Sequence, residues 1–157
     1  MAKAHTKGSI HALGIILGKE LYALRTHLVR EVLAHPQLTR VPKAPLYVRG
    51  VLNLRGNILP VVDLLARLGI RNETPSSYPW VVVVDIDGET LGVGAEKVTK
   101  LLRIHEDELM PPPALLASIS HENIEAVAPH ERGFVIFLDL DRVLGDEDGE
   151  NSARATP

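Results

Sequence analysis

Residues 47–69, YVRGVLNLRGNILPVVDLLARLG, limit the possible folds of this chain more than any other stretch. Two apolar runs are separated by Gly56-Asn57, a pair that tolerates positive φ and favours a tight β-hairpin turn. The second run, residues 58–62, is apolar without alternation, which predicts a strand that is covered on both faces. The stretch therefore predicts two antiparallel strands that meet at a turn beside a charged residue, Arg55.

A short helix is predicted directly after this hairpin. Asp63 stands at the position of a helix N-cap, and Gly69 stands where a glycine ends a helix. Leucines between them supply the apolar face that would hold the helix against a core.

The end of the chain repeats this pattern. ILPVVDLLARLG at residues 58–69 and FVIFLDLDRVLG at residues 134–145 share an apolar strand, an Asp-Leu pair and a closing Leu-Gly. An Arg-Gly pair precedes both strands, at residues 55–56 and 132–133. Chance similarity between two amphipathic endings is the alternative. The matching register of the aspartate, leucines and glycine instead favours two similar β subdomains.

The other segments also indicate short strands and glycine turns. Gly18-Lys19 and Asp87-Gly88 predict further hairpins, and residues 24–33 predict a strand with a helical piece near its start. We expect a mainly β fold of two small five-stranded β-barrels around a shared hydrophobic core, with short helices closing each half. We expect residues 1–9 to form a flexible arm, residues 10–145 the domain, and residues 146–157 a disordered tail. The subdomain boundary is placed at residues 70–78, although the first one or two strands could cross into the second barrel.

Composition argues against several classes of function. The 157 residues carry a formal net charge of −3 and only six aromatic residues, which does not fit a small-barrel nucleic-acid binder. The chain has no cysteine, so zinc–thiolate sites and cysteine nucleophiles are excluded. No apolar run is long enough to span a bilayer, which predicts a cytoplasmic protein without direct membrane insertion.

Few residues are candidates for catalysis. The seven histidines lack metal-ligand spacing and are interpreted as solvated loop residues. Asp139 and Asp141 could form a carboxylate pair, but Asp139 matches Asp63 and is better explained as a helix cap. We therefore predict no enzyme activity and no cofactor or metal. An enzyme that uses Asp63, Asp139 or a histidine is the contrasting hypothesis.

Taken in order, several motifs resemble one family. TRVPKAPLYVRGVLNLRGNILPVVDLLARLG, LGKELYAL, VVVVDIDGETLGV, VTKLLRIHEDELMPPP and FVIFLDLDRVL are similar to the CheW-like domain, the adaptor of bacterial chemotaxis arrays. The resemblance implies a non-catalytic scaffold that couples methyl-accepting chemoreceptors to a CheA-type histidine kinase. Its partners would be the cytoplasmic receptor tip and the kinase regulatory domain, and receptor arrays would associate it with the membrane. A chemosensory pathway that controls pilus motility or another output is an alternative to flagellar chemotaxis.

The same resemblance implies which residues contact partners. Glu31 and Val29 match the receptor-contacting segment, and Arg55 in NLRG matches an arginine that couples receptor and kinase. Val98 and Leu101 match the second barrel's side of a groove. The full set of predicted contact residues is Val29, Glu31, Val32, Asn53, Arg55, Gly56, Val98 and Leu101.

Overall fold

The computed structural model describes residues 8–70, 78–114, 119–131 and 133–145. The predicted arm therefore lies almost entirely outside the described residues, and the predicted tail lies wholly outside them. Most of the predicted boundary at residues 70–78 also lies outside them. The same holds for Arg132 of the repeated Arg-Gly pair.

The described chain is mainly β, as predicted, with ten strands and two short α-helices. In chain order these elements are β1 (Ser9–Leu17), β2 (Glu20–Arg25), β3 (Val29–Ala34), β4 (Val48–Leu54), β5 (Asn57–Val62), α1 (Leu64–Arg67), β6 (Trp80–Ile86), β7 (Glu89–Ala95), β8 (Lys97–His105), β9 (Ile124–His130), β10 (Gly133–Leu138) and α2 (Leu140–Leu144). Short 3-10 turns occupy Thr26–Leu28, Glu106–Glu108 and His121–Asn123. The first of these is the predicted helical piece before β3.

The strands form two five-stranded sheets with equivalent topology. The first sheet has the order β8-β1-β2-β10-β9, and the second has the order β3-β6-β7-β5-β4. In the first sheet the β1–β2 hairpin is joined to the β9–β10 hairpin by one parallel pair, β2 with β10. In the second sheet the β6–β7 hairpin is joined to the β4–β5 hairpin by one parallel pair, β5 with β7. The repeat read from the sequence therefore corresponds to two similar β units.

Two details of the predicted architecture are corrected. Within the described residues, no strand pairing joins the outer strands of either sheet, so the sheets are open rather than closed barrels. The sheets also do not divide at residues 70–78, because β5 and β6 on either side belong to the same sheet. The chain changes sheet after β2 and after β7, so the first two strands do cross to the C-terminal unit.

The core has three groups of buried side chains. One lies within the first sheet and includes Phe137, and another lies within the second sheet and includes Val81 and Val83. The largest joins both sheets and includes Ile15 and Val82. Because side chains alternate along a strand, β6 supplies both its own sheet's cluster and the shared one. The predicted shared core is thus present.

The two repeated helices begin at the predicted aspartates. The Asp63 carboxylate accepts a hydrogen bond from the Ala66 amide at 3.2 Å, and the Asp139 carboxylate accepts one from the Arg142 amide at 3.2 Å. Such a cap satisfies an amide that has no partner within the first turn of a helix. Asp139 therefore has the structural role that the sequence indicated.

Tyr22, buried in the shared core, gives the fold a sensitivity to alkaline pH. Burial, with a smaller contribution from Glu20, raises the pKa of the Tyr22 phenol from 10.0 to about 12. The neutral phenol is therefore favoured in the folded state. This contribution to stability is complete below the unfolded pKa of 10.0 and is lost as pH rises through the folded pKa of about 12.

We expect the wild type to lose about 2–3 kcal/mol more than Tyr22→Phe between pH 9 and pH 12, at roughly 1.4 kcal/mol per pKa unit. Urea unfolding of both proteins across this range measures the difference. The comparison cancels the deprotonation of surface lysines. Parallel pH profiles for the two proteins would contradict a shifted Tyr22.

Candidate interaction site

The turn between β4 and β5 presents Arg55 to solvent. Leu54 pairs with Asn57, so the two turn residues are Arg55 and Gly56, with φ of +51° and +89°. The predicted turn, Gly56-Asn57, is therefore wrong by one residue, and Asn57 is the first residue of β5. The Asn53 side-chain oxygen accepts a hydrogen bond from the Gly56 amide at 2.9 Å and stabilises this register.

Arg55 occupies a backbone conformation that L-residues adopt at some cost. Positive φ places Cβ too close to neighbouring backbone, at roughly 1–2 kcal/mol for a residue other than glycine. Gly56, which also has positive φ, carries no such penalty. Asp87 in the β6–β7 turn has the same φ of +51°, so this conformation is a requirement of the two-residue hairpin turn rather than a feature peculiar to Arg55.

Glu31 on β3 is the partner of Arg55. Arg55 Nη2 donates to Glu31 Oε2 at 2.5 Å, and Nη1 donates to Oε1 at 3.4 Å. The two terminal nitrogens of the guanidinium therefore bind both oxygens of the carboxylate. The hydrogen bond from Arg55 lowers the pKa of Glu31, and Glu31 raises the pKa of Arg55. The Arg55 side chain is 70% exposed and that of Glu31 is 31% exposed, so the pair remains open to solvent.

This ion pair joins the two outer strands of the second sheet. β3 is one edge of that sheet, and β4, which leads into the Arg55 turn, is the other. Further along the loop, Thr39 pairs with Val51 of β4 through two backbone hydrogen bonds of 2.9 and 2.8 Å. An ion pair thus connects β3 to the β4–β5 turn, and a backbone bridge connects the loop after β3 to β4.

A surface depression of about 490 Å³ lies beside the ion pair. Its lining residues come from β3, the β4–β5 hairpin and the β6–β7 hairpin: Arg30, Glu31, Leu54, Arg55, Asn57, Ile58, Leu59, Val83 and Thr90. Leu54, Leu59 and Val83 also belong to or pack against the buried cluster of the second sheet. Leu59 and Val83 are 3% and 0% exposed, so the apolar surface of the depression comes from Ile58 and Leu54, beside the charged side chains of the ion pair. An apolar patch with a charged border suits contact with a protein.

Ile58 was missed as a surface residue by sequence reasoning. It is 64% exposed, and Pro60 on the same strand is exposed too, so the predicted cover on both faces of β5 is wrong. Side chains alternate along the strand, so Ile58 and Pro60 share a face with Val62, and the shared core covers only the Val62 end of that face. Pro60 was the available signal, since proline favours strand positions without a second hydrogen-bonded neighbour.

The remaining predicted contact residues are divided between the two sheets. Val29 on β3 and Val98 on β8 are partly buried and pack against the shared core. Val32 is 38% exposed on β3, and Leu101 is 65% exposed on β8, the outer strand of the first sheet. The structure therefore brings Glu31, Asn53, Arg55 and Gly56 together at one turn, and places Val98 and Leu101 on the other sheet.

Other kinds of site have little support in the part of the chain that the structure describes. Within those residues, no group of three or more His, Asp or Glu side chains is arranged to hold a metal ion. No helix in the same described ranges has the length and apolar character of a membrane span.

Comparison with known proteins agrees with the fold. Residues 11–148 match the CheW-like domain. This chain belongs to the CheW-like domain family. A "Chemotaxis protein CheW" from Rhizobium meliloti (strain 1021) is 28% identical over 149 residues, which cover 95% of this chain and 96% of the relative. The protein of the same name from Treponema pallidum (strain Nichols) is 26% identical, with 84% of this chain and 80% of the relative covered.

A solved structure of a family member has the same fold. The crystal structure of the scaffolding protein TtCheW from Thermoanaerobacter tengcongensis matches with a TM-score of 0.76 and 30% sequence identity. The match covers 88% of this chain and 96% of that chain. The two open sheets and their shared core are therefore the arrangement of a CheW-like scaffold.

Proposed function

We propose that this chain is a non-catalytic adaptor that couples methyl-accepting chemoreceptors to the regulatory domain of a CheA-type histidine kinase. In this role it is cytoplasmic and associates with the membrane through receptor arrays. Membership of the CheW-like family supports the adaptor role. The roles of Asp63 and Asp139 as helix caps support the lack of catalysis, because they account for the best carboxylate candidates.

The observation that carries the proposal is the exposed Glu31–Arg55 pair beside the exposed Ile58 side chain. Arginines and apolar anchors dominate the energy of protein interfaces, while charges set register and partner choice. We infer that the cytoplasmic tip of the receptor docks here, with Ile58 and Leu54 supplying apolar contact. Val29, Val32, Val98 and Leu101 extend this contact toward the first sheet.

A bridging experiment tests the function. The chain is mixed with a receptor cytoplasmic fragment and a CheA-type kinase, both from the same organism, and complexes are separated by sedimentation. We expect receptor and kinase to sediment together only when the chain is present. Two results would contradict the adaptor role: no binding of the wild-type chain to either protein, or co-sedimentation that does not depend on the chain.

A further inference from the structure

A β-bulge lies in β3 directly before Glu31. Val29 pairs with Val84 of β6, whereas Glu31 pairs with the adjacent Val83, so Arg30 is an extra residue in the register. Paired residues of neighbouring strands point to the same face of a sheet. Val84 belongs to the shared core, and Val83 belongs to the buried cluster on the other face of the second sheet. The bulge therefore turns Val29 toward the core and Glu31 toward that other face, which we call the outer face.

The bulge also places Arg30 on the outer face. In a regular strand, neighbours such as Arg30 and Glu31 would point to opposite faces. Here both line the depression beside the ion pair. Arg30 Nε lies 3.3 Å from the Asp85 carboxylate of β6, which also accepts a hydrogen bond from the Thr90 hydroxyl of β7 at 2.6 Å. A second arginine–carboxylate pair therefore lies beside the Glu31–Arg55 pair.

In both pairs the arginine is the more exposed partner. The Arg30 side chain is 57% exposed against 43% for Asp85, and the same order holds for Arg55 and Glu31. The hydrogen bond from Arg55 chiefly, and the charge of Arg30 more weakly, lower the pKa of Glu31, so this carboxylate stays ionised between two cations. The four formal charges sum to zero, yet the groups most open to solvent are the two guanidinium groups. A protein that approaches the outer face therefore meets cations first.

We propose that Arg30 is a specificity-determining residue of this surface and that it selects a partner with an acidic side chain opposite it. The inference rests on the proposed function, because the receptor tip is the protein that docks at Glu31 and Arg55. Arg30 reaches the surface from β3 and Arg55 from the β4–β5 turn, so the partner meets two cations on separate elements. A receptor with a carboxylate opposite Arg30 gains a charge-assisted contact, whereas one with a lysine or arginine there is repelled.

Calorimetry of Arg30 variants with a purified receptor cytoplasmic fragment, at low and at high salt concentration, tests the inference. We expect Arg30→Gln to bind about tenfold more weakly at low salt and with a smaller dependence on salt. Arg30→Glu should bind more weakly still, because it repels the acidic side chain. Arg30→Lys keeps the charge and should bind within about threefold of the wild type. Equal weakening by Arg30→Lys and Arg30→Gln, or tighter binding of Arg30→Glu than of Arg30→Gln, would overturn the inference.

Asp85→Asn separates recognition of the partner from a role within the fold. This variant removes the carboxylate that pairs with Arg30 but leaves the cation at the surface, and its amide oxygen can still accept from Thr90. We expect Asp85→Asn to bind the receptor fragment at least as well as the wild type does. If the ion pair only held the bulge, Asp85→Asn and Arg30→Gln would weaken binding equally, and that result would overturn the inference.

Failure of the inference and failure of the proposed function give different results. Arg142→Gln, which removes the exposed arginine of the Arg142–Glu122 pair near the end of the chain, is the matched control and should bind as the wild type does. If the wild type and Arg30→Gln bind the receptor fragment equally well, Arg30 has no part in recognition and only the inference is wrong. If the wild type itself does not bind the fragment, the proposed function is wrong.

Discussion

Arg55→Glu and Glu31→Arg are each expected to give a folded protein that no longer assembles receptor–kinase complexes. Either change places two like charges where the structure has an ion pair, and it reverses the charge presented to the receptor. Exposed ion pairs contribute little to stability, so thermal unfolding should change only slightly. Loss of a charged contact at an interface typically weakens binding at least about tenfold. Co-sedimentation with receptor and kinase measures the loss.

The double variant Glu31→Arg/Arg55→Glu separates two explanations of this result. If the pair served only to hold β3 against the β4–β5 turn, restoring opposite charges would restore assembly. We expect assembly to remain defective, because the receptor would still meet an inverted charge at each position. Normal co-sedimentation of either single variant would remove the pair from the interface, and recovery in the double variant would reduce its role to one within the fold.

The largest loss of stability is expected from Asp63→Ala. Asp63 is 7% exposed, caps α1, and accepts a hydrogen bond from the Tyr78 hydroxyl at 3.0 Å. Removal of the cap costs about 0.5–2 kcal/mol, and loss of the buried partner of Tyr78 adds about 1–2 kcal/mol. We expect an overall loss of about 1.5–4 kcal/mol, measured by urea unfolding, with a fall in Tm of roughly 3–16 °C.

Asp139→Ala provides the matched control for this prediction. Asp139 caps α2 with the same geometry but is only partly buried, so its removal should cost about 1 kcal/mol. Asp63→Asn retains an oxygen for the cap and should be milder than Asp63→Ala. Equal losses for Asp63→Ala and Asp139→Ala would mean that the cap alone stabilises α1 and that the contact with Tyr78 contributes nothing.

The site was only partly predictable. The exposed arginine at a tight turn was evident from NLRG, but the sequence placed the turn one residue too late. Asn-containing turns tolerate positive φ, so Gly56-Asn57 was the stronger local signal. The Asn53 side chain and the pairing of Leu54 with Asn57 set the actual register. That Arg55 binds Glu31, 24 residues away in the chain, was not visible in any local pattern.

What the sequence alone determined about this protein is local. Hairpin turns such as Asp87-Gly88 and the two aspartate caps depend on residues that are close in the chain, so their patterns predict them directly. Only the tertiary structure decided which strands share a sheet, because pairings such as β2 with β10 join distant segments. It also decided that the shared core covers only the Val62 end of β5 and leaves Ile58 exposed. Strand pairing across a sheet is a non-local property, and the meeting of Glu31 with Arg55 follows from it.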